Sequence, residues 1–91
     1  MKKSYPVIMT QGSGQIVVYV PDFDINTQGA DTADAMEMAR DAIAAVGIDM
    51  LEDGEQLPCA SDAEEIQKNA QKGSIVMLAD VDFGKYRDRQ K

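Results

Sequence analysis

The run Ile16-Val-Val-Tyr-Val20 is β-branched or aromatic at every position, which suits a pleated strand and disfavours a helix. Before it lie Tyr5-Pro-Val-Ile-Met-Thr10 and then Gln11-Gly-Ser-Gly-Gln15. A short glycine-bearing link between two such runs is a hairpin turn. The chain must therefore build around an antiparallel pair. Pro6 has no N–H to give to a ladder, so it is expected at the start of its strand or on a sheet edge. Pro21 ends regular pairing, and Ile25–Gly29 is expected to return as a third, short strand, completing a meander.

A helix follows. Asp31 or Thr32 supplies its capping oxygen. Ala35, Ala39, Ala42, Ile43, Val46 and Met50 recur at helical spacing, with Met36 and Leu51 widening the stripe, while Met38 lies off it and is expected to be exposed. Gly47 interrupts this stripe at a cost of about 1 kcal/mol relative to alanine, marking a kink or a close approach of backbones. Gly54 is the expected stop. Ser61-Asp-Ala-Glu64 has the form of a capping box and opens a short helix from Asp62 to about Ala70, ended by Gly73. Ser74–Val81 is expected to be a last strand, buried on both faces over its first half. Tyr86–Lys91 shows no apolar periodicity. The order β-β-β-α-α-β is α+β: a three-stranded antiparallel meander, a long helix, a short helix and a further strand, in two layers with a helix face across the sheet.

Composition narrows the function. Of the 91 residues, 44% are hydrophobic, but 11 of these are alanine and 5 are aromatic. A core that thin is expected to gain from self-association into a dimer or tetramer. Acids outnumber bases 16 to 9, for a net charge of −7, and residues 21–55 hold ten acids against Arg40 alone. A non-specific nucleic-acid binder needs the opposite sign. There is no histidine, which removes Ser-His-Asp and Cys-His nucleophile systems and every His-containing metal site. One cysteine, Cys59, cannot form an internal disulfide, and no apolar run exceeds five residues. These features point to a cytoplasmic protein without a membrane partner.

No catalytic constellation emerges. Asp22 with Asp24, and Asp80 with Asp82, are the hard-oxygen pairs a magnesium nuclease would use, but nothing in their spacing makes them meet, and solvated loop acids are the expectation. Gly12-Ser-Gly14 leads into a strand rather than a helix, so it reads as a turn and not as a phosphate loop. Cys59 has acids and no base nearby to activate it. No serine, threonine or lysine stands in a catalytic spacing. The expectation is no enzyme, no cofactor and no metal.

The order of several short motifs does carry a resemblance. Tyr5-Pro-Val-Ile, Gly14-x-Ile-Val-Val-Tyr-Val-Pro-Asp-Phe23, Asn26-Thr-Gln-Gly29 and Asp31-Thr-x-x-Ala-x-x-x-Ala-x-x-Ala42 resemble the HicB antitoxin family. Glu52-Asp-Gly-Glu-x-Leu-Pro58 and Asp80-Val-Asp-Phe-x-x-Tyr-Arg87 fit the same pattern. The loop Asp22-Phe-Asp-Ile-Asn26 departs from it, lacking the proline–glycine often found there. The resemblance implies a partial ribonuclease-H-like fold. It also implies neutralisation of a HicA-like toxin, a small basic mRNA-cleaving ribonuclease, by stoichiometric binding. Many members self-associate, and many carry a C-terminal segment that binds operator DNA. Residues 1–84 are then the antitoxin domain, and residues 85–91 are a tail or the start of such a DNA-binding segment.

The acidic middle third complements a toxin that binds RNA phosphates. Toxin contacts are expected on Asp22, Phe23, Asp24, Ile25 and Asn26, with Phe23 and Ile25 as apolar anchors. An orphan interaction or scaffold module of the same fold, and a magnesium-dependent nuclease, are the alternatives.

Overall fold

The computed structural model describes the backbone of residues 1–89 and the side chains of residues 1–87. The elements are β1 (Lys2–Gln11), β2 (Ile16–Val20), β3 (Ile25–Gly29), α1 (Thr32–Glu52), α2 (Ala63–Asn69), β4 (Ile75–Asp82) and α3 (Phe83–Arg89). The four strands form one sheet in the order β3-β2-β1-β4, and every neighbouring pair is antiparallel. The α+β meander, long helix, short helix and further strand are all present. The α1 helix lies across one face of the sheet. Its buried residues meet Tyr5, Val7, Met9, Val18, Val20, Ala79, Val81 and Phe83 in a single core.

Local signals explain the turns. Gly12 donates its N–H to the Gln15 carbonyl at 2.8 Å, and Gly14 takes φ +85° to close the β1–β2 hairpin. Asp31 caps α1 by accepting the Asp34 N–H at 2.8 Å. Gly54, at φ +80°, ends it and donates to Leu51 O at 3.1 Å.

Pro6 is fully buried, yet it lies on an edge as expected: at its position β1 is paired with β4 and not with β2. The bond from Gly12 to Gln15 fixes the alternation along β1, so even-numbered residues face β2 and odd-numbered ones face β4. Pro6 therefore turns its nitrogen towards β2, where pairing has already stopped at Ile8–Tyr19. The strand has partners on both sides only at Ile8 and Met9, and it is an edge at the proline.

The α1 stripe is rotated from the one the alanines suggested. Val46 is exposed, Ala42 and Met50 are half-buried, and Ala44, Gly47 and Ile48 are buried instead. Gly47 faces the Phe83 ring, so the close approach is to a side chain rather than to backbone.

The first half of β4 is not buried on both faces. Ile75 and Leu78 are 61% and 56% exposed, and only Ala79 and Val81 are buried: β4 is an edge strand, Ile75 lies on the face of Ala79 and Val81 but beyond the cover of α1, and Leu78 alternates to the opposite face. The Ser61–Glu64 capping box does not form: the Ser61 N–H and hydroxyl go to Asp22 instead. Asp62, not Ser61, caps α2 by accepting the Glu64 N–H at 3.0 Å.

Residues 83–89 are helical despite their aperiodic sequence. Phe83, at 2% exposure, plugs the core, and Tyr86 packs against it. The last two residues of the 85–91 segment lie outside the described residues.

Candidate functional site

The connection from β2 to β3 is a tight turn. Phe23 N–H donates to Val20 O, and Asp24 N–H to Pro21 O, both at 3.3 Å. Asp24 adopts φ +53°, a left-handed conformation that short polar side chains tolerate best after glycine. Its carboxylate accepts the Tyr19 hydroxyl at 2.9 Å. That hydrogen bond, which favours the neutral phenol, raises the pKa of Tyr19.

The turn is fastened to the loop that precedes α2. Asp22 accepts the Ser61 N–H at 2.9 Å and also the Ser61 hydroxyl. Phe23 packs edge-on against Tyr5, with ring centroids 4.8 Å apart and planes at 78°. Tyr5 in turn donates its hydroxyl to Pro58 O at 2.8 Å. Burial, with the Asp22 carboxylate as a second cause, raises the Tyr5 phenol above its ordinary value.

The five candidate residues therefore fall into two groups. Asp24 and Asn26 are exposed at the rim. Asp22, Phe23 and Ile25 are half-buried, and Phe23 and Ile25 commit part of their surface to the core. Beside them a groove of about 500 Å³ opens between the sheet and α2. Ile8, Tyr19, Pro21, Ile66 and Ala70 make its apolar walls, with Asp62 and Glu65 adding acid. Apolar walls with a few acidic groups suit an apolar side chain carried on a basic surface.

Sequence reasoning missed Tyr19, Ser61 and the groove. The available signal was the pair Ser61-Asp62: two adjacent capping-type residues, of which a helix needs only one.

The two Asp pairs are bound into separate places. Asp80 accepts Arg40 Nη2 at 2.8 Å, and the guanidinium holds its carboxyl below the usual range. Asp82 accepts the Lys85 N–H at 3.2 Å and lies 3.9 Å from the amino group of Met1. Among the described residues, no group of three or more Asp, Glu, His or Cys is gathered to hold a metal ion. Cys59 is exposed. Among those residues, too, no helix is long and apolar enough to cross a membrane.

Comparison with known proteins adds to this geometry. The family model described as HicB_like antitoxin of bacterial toxin-antitoxin system matches residues 5–91. No curated protein matches the chain. Among solved structures, the N-terminal domain of the Burkholderia pseudomallei antitoxin HicB is similar at 26% identity and a TM-score of 0.79, over 88% of this chain and 99% of that one. A chain of a toxin–antitoxin complex from Streptococcus pneumoniae has the same fold at 21% identity and TM-score 0.79, over 94% of this chain and 73% of that one. A chain of the HicA3 and HicB3 toxin–antitoxin complex shares it at 22% identity and TM-score 0.70, over 88% and 99%.

Proposed function

The chain belongs to the HicB-like antitoxin family of bacterial toxin–antitoxin systems, and from that membership we propose that it neutralises a HicA-like, mRNA-cleaving toxin by stoichiometric binding rather than by catalysis. The observation that carries the proposal is the family match over residues 5–91. The acidic character of residues 21–55 gives it a physical basis. A ribonuclease surface that binds RNA must present positive charge to phosphates. An acidic protein surface competes for that charge and speeds encounter with it.

The contact region is the turn Asp22, Phe23, Asp24, Ile25 and Asn26, with the neighbouring groove. Asp24 and Asn26 meet the toxin first, being exposed. Residues 1–84 form the toxin-binding domain of a cytoplasmic homo-oligomer. Operator DNA is a partner only if the full protein has a C-terminal DNA-binding segment.

The test is co-purification with a HicA-like toxin, followed by an RNA-cleavage assay of that toxin with and without this chain. A fixed-ratio complex in which cleavage is abolished is the expected result. Two folded proteins that form no complex would remove the proposal.

A further inference from the structure

The sheet has two free edges, and the chain treats them differently. Along β4 the odd-numbered residues face β1, so the backbone groups of Val76, Leu78 and Asp80 point outward. That edge is guarded by side chains near its two ends, at Val76 and Asp80. Gln67 accepts the Val76 N–H at 3.0 Å and donates to Ser74 O at 3.3 Å. Arg40 donates to Asp80 O at 3.2 Å and to the Asp80 carboxylate. Side chains placed there blunt an edge against other strands.

At the opposite edge, Val18 and Val20 face β3, so Thr27 and Ile25 face back and Asn26 and Gln28 point outward. Both residues are exposed, and among the described residues no side chain bonds to their backbone N–H or carbonyl groups. A strand edge without such side-chain guards is a template for an added strand.

The charge beside that edge selects the occupant. Asp22 and Asp24 precede β3, Asp31 and Asp34 follow it, and no lysine or arginine occurs between residues 21 and 39. Pairing with the same edge of a second copy would set these acids against one another, and facing like charges destabilise a strand pair. A basic strand meets no such penalty.

We propose that the outer edge of β3 takes an extended, basic strand of the toxin, hydrogen-bonded to the backbone of Asn26 and Gln28. This rests on the antitoxin reading and places part of its contact in the backbone. In such an addition the main-chain hydrogen bonds give affinity and alternate side chains give specificity.

The test is amide hydrogen exchange on the full chain, free and in complex with the toxin that co-purifies with it. The Asn26 and Gln28 amides are expected to slow by about tenfold or more in the complex, while the outward amide of Leu78 does not change. Because these N–H groups point away from β2, proline is compatible with the edge at either position. Asn26→Pro and Gln28→Pro are expected to weaken binding by about tenfold or more, and Leu78→Pro to leave it unchanged. If a proline variant fails to fold, the exchange measurement on the unsubstituted chain decides. A complex whose protected amides lie elsewhere overturns the edge proposal and leaves the antitoxin reading standing. The absence of any complex between folded proteins removes both.

Discussion

Gly47→Ala tests how the core was assembled. In an exposed helix interior this change gains about 1 kcal/mol, because glycine loses more backbone freedom on folding. Here the new Cβ would stand 2.3 Å from Cε1 and 3.0 Å from Cδ1 of Phe83, and 3.2 Å from Cδ2 of Leu57. Carbon atoms in good contact are about 3.5–4.0 Å apart, so the ring must retreat by more than ~1 Å. Phe83 is 2% exposed and closes the core where α1 meets α3. Forcing extra carbon into such a site typically costs about 1–3 kcal/mol. Set against the gain of about 1 kcal/mol in helix propensity, the net effect is a loss of up to ~2 kcal/mol, centred near 1. For a domain of this size that is a fall in Tm of roughly 4–8 °C.

Urea unfolding gives the free energy, and Phe83→Leu supplies the control. With the ring removed, the 3.2 Å contact to the flexible end of Leu57 is the tight one left, so the propensity gain should dominate and Gly47→Ala should then stabilise the chain. The double-mutant cycle should report a coupling of about 1–3 kcal/mol. If Gly47→Ala raises the stability of the otherwise unchanged chain, or has equal effects in both backgrounds, the packing argument is wrong.

Further outcomes follow from the same contacts. Gly29→Ala should be more damaging than Gly47→Ala, by calorimetry, because its Cβ would meet Ala35 backbone nitrogen at 2.3 Å and helix backbone yields less than a ring. Asp22→Ala removes both bonds to Ser61 and should cost about 1 kcal/mol globally; faster amide exchange confined to α2 is the accompanying sign. Charge reversal of Asp22 and Asp24 together should slow toxin association and flatten its dependence on salt, and association rates unchanged from the parent would count against the contact region. The raised pKa of Tyr5 means that the folded state holds the phenol proton more tightly than the unfolded state does. Its contribution is full below the ordinary phenol value of 10.0 and is lost as pH rises through the folded value. Alkaline titration of stability should therefore be flatter in Tyr5→Phe.

The elements were legible because they depend on short-range rules. The β-branched run at Ile16–Val20, the glycines of the Gly12–Gln15 hairpin and the Asp31 cap each act within a few residues, and each lies where those rules put it. The motif order also carried the family, since it depends on sequence alone. The candidate site was legible only as a stretch of chain. That Asp22 is held by Ser61, 39 positions away, has no local signature.

Facing and cover were decided by tertiary structure. Helical spacing identified an apolar stripe on α1, but alanine is too small and too neutral to mark which side of it meets the sheet. The Phe83 ring against Gly47 and the sheet beneath Ala44 and Ile48 settled that orientation. The run Ile75–Leu78 looked fully buried because burial was inferred from apolarity, whereas on this edge strand Ile75 lies beyond the reach of α1 and Leu78 points to the face opposite it. Pro6 followed the rule for edges inside a central strand, since pairing with β2 stops short of it. Period and propensity act along the chain and can be read there. Which face is covered, which edge stays open and which carboxylate is already bound are properties of segments meeting, and only the folded chain sets them.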